Sequence, residues 1–217
     1  MNELLLKDVW FSYPSSNAPV LRGVTLELRG SELMIVRGPN GSGKSTLLLV
    51  AAGLLKPERG EVLLDGVPLQ SQLPAARRRI GITFQNPDDQ FFNATVYDEI
   101  AFALRQLKLS ENAVRERVTE VAGTLHIESL LERPPYRLSG GEKVKVALAS
   151  VLAYNPEILL LDEPTAYLTS EAKEMILRIL TDLRDRGKAI VITTNDPYLT
   201  GHPIDKVYTL VDGRLQI

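Results

Sequence analysis

The sequence, 217 residues long, predicts an α/β fold with a helical segment set into it. Three observations carry that reading. An apolar run, Leu33-Met34-Ile35-Val36, feeds a glycine-rich turn at residues 38–46, which opens into a helix-like stretch at 47–55. A second apolar run, Ile158-Leu159-Leu160-Leu161, ends in the carboxylates Asp162 and Glu163. Between these two runs, from about residue 95 to 154, the apolar spacing turns from strand-like to helical.

Taken in order, residues 4–13, 25–29 and 32–37 are short and β-prone, separated by the turn-prone Pro14-Ser15-Ser16-Asn17 and Arg29-Gly30. Residues 60–66 form a strand bounded by glycines, and Ile80-Gly81-Ile82-Thr83-Phe84 reads as a buried strand. Val96, Ile100, Ala103, Leu104 and Leu107 keep helical spacing. So do Val114, Val118, Val121 and Leu125, after a capping Ser110. Another helix is expected over 143–154. Strand character returns at 158–161 and 188–194, flanking a charged amphipathic helix at 170–186 that ends at Gly187. Residues 207–211 and 214–217 make a hairpin around Asp212-Gly213. The whole is read as one domain. Residues 1–85 and 156–217 form its α/β core, and residues 86–155 form the inserted helical segment.

Composition narrows the partners. Lys and Arg number 25 against 27 Asp and Glu, a net charge of −2, so there is no broad basic field and no nucleic-acid partner is expected. Arg77-Arg78-Arg79 reads as a solvated face. Without cysteine, disulfides, thiolate catalysis and Cys-ligated zinc are excluded. The longest apolar run, residues 47–55, is too short to cross a bilayer. The start, Met1-Asn2-Glu3-Leu4, lacks the pattern of a secretory signal. The expected location is the cytoplasm.

The turn reads Gly38-Pro39-Asn40-Gly41-Ser42-Gly43-Lys44-Ser45-Thr46, a pattern suited to a nucleoside triphosphate. Its glycines let backbone N–H groups turn inward around phosphate oxygens, and the helix start adds partial positive charge. Lys44 can reach the outer phosphates, and the Ser45 hydroxyl can ligate Mg²⁺. Asp162, delivered by a buried strand, can hold the same Mg²⁺; Glu163 is placed to take a proton from an attacking water. Ser139-Gly140-Gly141-Glu142 opens the next helix. Read alone it is an ordinary N-cap, although Ser and two glycines also make an anion-binding surface.

Phosphate loop, Ser-Gly-Gly segment and Asp-Glu strand, in this order and spacing, resemble the nucleotide-binding subunit of an ATP-binding-cassette (ABC) protein over essentially the whole chain. The resemblance implies a P-loop NTPase core of ABC type, with an N-terminal antiparallel β subdomain and an inserted α-helical subdomain. It also implies ATP and Mg²⁺ as ligands and a head-to-tail pair of subunits. Ser139, Gly140, Gly141 and Glu142 would then serve ATP on the partner's phosphate loop. Tyr13 matches the aromatic that stacks on adenine, with a core role for a strand-end tyrosine as the alternative. Gln85 matches the glutamine that touches Mg²⁺ and the attacking water. The stretch Gln85-Asn86-Pro87-Asp88-Asp89-Gln90-Phe91-Phe92, followed by Thr95 to Phe102, resembles the ATPases of cobalt/nickel and energy-coupling-factor importers. There it would form a groove for an integral-membrane coupling protein and hold the chain on the inner face of the membrane. Phe91 and Phe92 are either exposed anchors for that contact or core residues.

Two positions depart from the resemblance. Ile192-Thr193-Thr194-Asn195-Asp196-Pro197 carries Asn195 where a switch histidine is expected, and neither His126 nor His202 takes that place. Asn195 can donate a hydrogen bond to a phosphate but cannot become cationic, so slow hydrolysis is expected at its site. Thr169 stands where an aspartate would reach across the dimer. Val144 and Lys145 replace the more usual Gln and Arg. The leading expectation is an importer ATPase; the alternative is a catalytically weakened, ATP-gated half of a heterodimer.

Overall fold

The chain folds around two sheets in a computed structural model that describes residues 3–216, apart from Ser15, Asn17, Pro197, Tyr198, Thr200 and Gly201. Strands β1 (Leu4–Phe11) and β2 (Leu21–Leu28) pair antiparallel. Next come β3 (Leu33–Arg37) and α1 (Lys44–Ala51). The chain then returns to the first sheet with β4 (Arg59–Leu64) and β5 (Val67–Pro68), giving the order β2-β1-β4-β5. A one-turn α2 (Leu69–Gln72) leads to β6 (Ile80–Thr83). The insertion holds α3 (Val96–Gln106), α4 (Glu111–Leu125) and α5 (Gly140–Ala153). Then β7 (Ile158–Asp162), α6 (Ser170–Asp185), β8 (Ala189–Thr194) and the hairpin β9 (Lys206–Val211) and β10 (Arg214–Gln216) complete the second sheet, ordered β10-β9-β3-β8-β7-β6. All its pairings are parallel except β9 with β10.

This second sheet separates two cores, and alternation along its strands assigns each side chain to one of them. Leu33 and Ile35, Leu159 and Leu161, and Ile190 and Ile192 face the core shared with α3, α4, α5 and α6. Met34 and Val36, Ile158 and Leu160, and Ala189 and Val191 face α1 and the antiparallel sheet. A sheet covered on both faces needs continuous apolar strands, and β3, β7 and β8 have them. The inserted helices are thus packed on the sheet rather than set apart from it.

Each sequence-predicted element is present, with ends shifted. The first helix begins at Lys44 and stops at Ala51, and the helix expected from residue 143 begins already at Gly140. Ser110 caps α4 by accepting the Ala113 N–H at 3.4 Å. The final hairpin turns on Asp212 and Gly213, both at positive φ (48° and 73°), the geometry such two-residue turns favour. Of the residues named in the sequence reading, Met1, Asn2, Ser15, Asn17, Pro197 and Ile217 lie outside the described residues. Among the described residues, no helix is long and apolar enough to cross a membrane.

Candidate functional site

Parallel pairing puts the carboxyl ends of β3, β8, β7 and β6 side by side on one edge of the sheet. Val36 is opposite Thr193, Thr193 opposite Asp162, and Leu161 opposite Thr83. The segments leaving these ends are therefore neighbours, which is where open parallel sheets hold ligands. They enclose a cavity of about 500 Å³ lined by Tyr13, Val20, Asn40, Gly41, Gly43, Lys44, Ser45, Thr46, Gln85, Asp162 and Glu163. A contiguous crevice of about 400 Å³ shares Ser45, Gln85 and Asp162 and extends to Tyr167. The expected own-chain residues are thus gathered together.

A larger crevice, about 580 Å³, lies away from this edge between α4, the end of α5 and α6. Its cations are engaged locally: Arg186 with Asp182, Arg178 with Glu174, and Lys188 with Asn155 and the Pro156 carbonyl. It offers little to an anion.

The phosphate loop is shaped by its backbone. Gly43 takes φ 102°, a conformation strained for any side chain, and turns the chain into α1. Having no side chain, Gly43 gives α1 no side-chain cap, so the N–H groups of the first turn are left for another acceptor. The Ser42 hydroxyl is buried with no protein partner. The Lys44 ammonium folds back onto the Gly38 and Pro39 carbonyls at 2.8 and 3.2 Å. Donors with weak or missing acceptors around one loop suit a polyanion.

The acidic side is held from the sheet. Asp162 is only 6% exposed, and its Oδ1 accepts the Thr193 hydroxyl at 2.5 Å. Glu163 has φ 50°, and its Oε2 accepts the Asn195 backbone N–H at 3.3 Å and the Thr194 hydroxyl at 3.2 Å. Burial pushes the Glu163 carboxyl above the ordinary range, against the Asn195 N–H, the Lys44 charge and the Thr194 hydroxyl, which pull it down. A carboxylate made more basic suits proton abstraction. The Asn195 amide donates to Asn40 Oδ1 at 2.6 Å, tying the end of β8 to the phosphate loop.

Among the described residues there is no cluster of three His, Cys, Asp or Glu side chains that could hold a metal. Ser45, Gln85 and Asp162 line the same cavity, however. One carboxylate and two neutral oxygens fit Mg²⁺, which keeps several ligands for water and phosphate.

Tyr13 stands at the cavity wall. Its hydroxyl lies 3.2 Å from Thr46 Oγ1, and its ring meets Phe11 edge-on with centroids 5.0 Å apart. Ser139, Gly140, Gly141 and Glu142 do not line the cavity. They form a capping box at the start of α5, in which the Glu142 carboxylate accepts the Ser139 N–H at 2.7 Å and Ser139 Oγ accepts the Glu142 N–H at 3.3 Å. Thr169 accepts the Ala172 N–H at 3.3 Å and caps α6. The two phenylalanines divide: Phe91 is partly buried against the core, whereas Phe92 is 67% exposed and packs edge-on against Phe102.

Sequence reasoning missed several participants. Thr193 and Thr194, hydroxyls closing an otherwise apolar strand, were signal enough to be singled out. Lys143 pairs with Asp88 at 2.7 Å, and Gln90 donates to Ser150 Oγ at 2.8 Å and to the Ala147 carbonyl at 3.2 Å. These bonds fasten the segment after Gln85 to α5, and no local sequence pattern announces them.

Comparison with known proteins agrees with this geometry. The profile of the family described as ABC transporter matches residues 21–166. The chain is 42% identical to the energy-coupling factor transporter ATP-binding protein EcfA of Methanocaldococcus jannaschii, over 96% of this chain and 76% of that protein. It is also 42% identical to EcfA of Methanothermobacter thermautotrophicus, over 97% and 68% respectively. Among solved structures it resembles cbiO1 from Clostridium perfringens, part of the transporter complex cbiONQ. The TM-score is 0.85 at 33% identity, covering 100% of this chain and 88% of that one. It also resembles the dimeric structure of MJ0796, described as a bacterial ABC transporter cassette. There the TM-score is 0.91 at 31% identity, covering 99% and 97%.

Proposed function

The chain belongs to the ABC transporter ATP-binding family, and on that premise we propose that it is the ATPase subunit of a membrane importer of energy-coupling-factor type. In this reading ATP drives head-to-tail closure with a second ATP-binding chain, and closure moves an integral-membrane coupling protein. The observation that carries the proposal is the division of the site. Lys44, Ser45, Gln85, Asp162 and Glu163 share one cavity, whereas Ser139 and the glycines after it stay outside it, on a face a second chain can reach.

Within the cavity, Lys44 exchanges its bonds to the loop carbonyls for phosphate oxygens, and the first turn of α1 supplies N–H donors. Ser45, Gln85 and Asp162 would hold Mg²⁺, which when bound neutralises charge on the triphosphate. Glu163, kept basic by burial, takes the proton of the attacking water and keeps its orientation through Thr194 and the Asn195 backbone. Asn195 orients but adds no positive charge, which supports slow turnover at its site. Phe92 with Phe102 offers an apolar footing to the coupling protein beside Gln85 to Phe92, and so a peripheral place on the membrane.

Asn195 and Thr169 favour one other reading, a weakened ATP-gated half of a heterodimer, against which the intact Glu163 stands. Steady-state ATP hydrolysis by the purified chain, compared with Glu163→Gln, separates the two. A large loss in the variant supports the ATPase, and equal rates support the gated subunit.

A further inference from the structure

The chain contains two hairpin turns of the same make. Asp65-Gly66 joins β4 to β5, and Asp212-Gly213 joins β9 to β10. The first takes φ 51° and 76°, the second 48° and 73°. Positive φ explains both glycines equally. Their surroundings differ. Among the described residues, a Cβ on Gly66 would meet no atom within 4 Å beyond its chain neighbours. A Cβ on Gly213 would overlap the Val20 carbonyl oxygen and stand 3.0 Å from the Val20 carbonyl carbon. The Arg22 N–H, donating to the Gly213 carbonyl at 2.7 Å, holds this approach in place. The second turn therefore needs glycine for a contact as well as for a conformation.

Val20 carries that contact to the phosphate loop. A Cβ on Gly43 would stand 3.1 Å from both the Val20 carbonyl oxygen and Val20 Cγ1. One carbonyl thus lies between the glycine that turns the chain into α1 and the glycine of the last hairpin. Val20 also lines the nucleotide-sized cavity. The other end of the loop meets the same hairpin directly. A Cβ on Gly38 would overlap the Leu210 carbonyl oxygen of β9, one step beyond the pair Arg37 and Thr209. Between these two supports, a Cβ on Gly41 would meet no atom of the described residues within 4 Å beyond its chain neighbours. The loop is braced from behind at both ends and open in the middle, where its N–H groups can gather round an anion. Both braces press on main-chain carbonyls, which cannot give way by changing rotamer as a side chain can.

We propose that the Asp212-Gly213 hairpin positions the phosphate loop, with Gly213 setting the loop's place through Val20. The proposal rests on the reading of the cavity as an ATP site and adds what fixes its shape. Gly213 does not line the cavity; it acts through the Val20 carbonyl and Gly43. A side chain at 213 pushes Val20 towards Gly43 and turns the first N–H groups of α1 away from the phosphates. The same side chain at Gly66 pushes on nothing.

Paired substitutions isolate the contact, since asparagine is among the side chains that best tolerate this φ. Fluorescent-ATP titration with Mg²⁺ is expected to give unchanged affinity for Gly66→Asn. For Gly213→Asn it is expected to show a loss of about tenfold or more. Equal affinities in the two variants, whether kept or lost together, overturn the positioning role. Amide hydrogen exchange on the unsubstituted chain gives a second reading that needs no variant to fold. MgATP is expected to slow exchange of the Arg22 amide, which donates to Gly213, but not of the Asp65 amide, which donates to the Glu3 carbonyl beside the other turn. Protection of the phosphate-loop amides with the Arg22 amide unmoved overturns the proposal while leaving ATP binding intact. An unsubstituted chain that binds no ATP overturns the ATP reading, and the positioning role with it.

Discussion

Asp162 is bonded from the neighbouring strand and Lys44 folds back onto its own loop beside it, whereas Ser139 and Glu142 bond to each other across three residues of one helix start. The first half is buried: Lys44 is 8% and Asp162 6% exposed. The second lies open. Burial in the one comes from long-range pairing, since Thr193 reaches Asp162 from the next strand and Asn195 reaches Asn40 across the loop. Order in the other is local, a capping box that forms whether or not anything sits on it. The difference teaches how a shared site can be divided. The chemical half needs the whole fold, and the half offered to a partner needs only a helix end.

The contrast can be broken from either side. The largest effect on nucleotide binding is expected from Lys44→Ala, which removes the cation of the buried half and leaves the Gly38 and Pro39 carbonyls without its bonds. Fluorescent-ATP titration should show affinity falling by about a hundredfold, near 2.7 kcal/mol. Retained affinity would mean that the loop backbone alone holds the nucleotide.

The largest effect on turnover is expected from Glu163→Gln. Loss of a general base should lower hydrolysis by roughly 10²- to 10⁴-fold while ATP still binds. In the native chain the rate should rise with pH through the raised Glu163 value. Stability moves the opposite way. A carboxyl whose folded value lies above its unfolded one stabilises the chain at low pH, and that contribution disappears as pH rises through the folded value. Calorimetry should therefore find Glu163→Gln melting higher than its parent at neutral pH, with the gap closing in acid.

Asn195→His should raise turnover by about tenfold, roughly 1.4 kcal/mol of barrier, if the missing imidazole limits the rate. An unchanged rate would instead assign the limit to closure or release. The smallest effect belongs to the open half. Ser139→Ala removes the cap and should cost about 1 kcal/mol, a fall of about 2–4 °C in Tm, with ATP affinity of the monomer unaltered. A fall in monomer affinity would show that the two halves meet within one chain after all.

Much of this was readable from the sequence, because the signals were local. The glycine spacing with Lys44 and Ser45, the apolar run before Asp162 and the Ser139 cap each lie within a few residues. The helix starts at Lys44 and Gly140 were misjudged: the phosphate-loop pattern runs on through the first turn of α1, and glycines that open a helix, as in α5, look the same in sequence as glycines that precede one. Phe91 and Phe92 could not be separated by composition. Only the packing of α3 turns one inward and pairs the other with Phe102. The bonds from Asp88 to Lys143 and from Gln90 to Ser150 join positions more than fifty residues apart, and local pattern carries no trace of them. Thr169 was read as a missing carboxylate and not as a helix cap, although a threonine directly before a helix read from residue 170 is itself a capping signal.

The alternation of β7 between two cores also sets how the chain tolerates changes in length. Ile158 and Leu160 belong to one side, Leu159 and Leu161 to the other, and Asp162 follows at the end of the same count. One residue gained or lost within this strand would exchange every side chain between the cores and move the carboxylate off the edge where Thr193 meets it. The turn between α3 and α4, at Lys108 and Leu109, can absorb the same change at the surface. The chain is therefore elastic in its insertion and works as a fixed ruler in its centre.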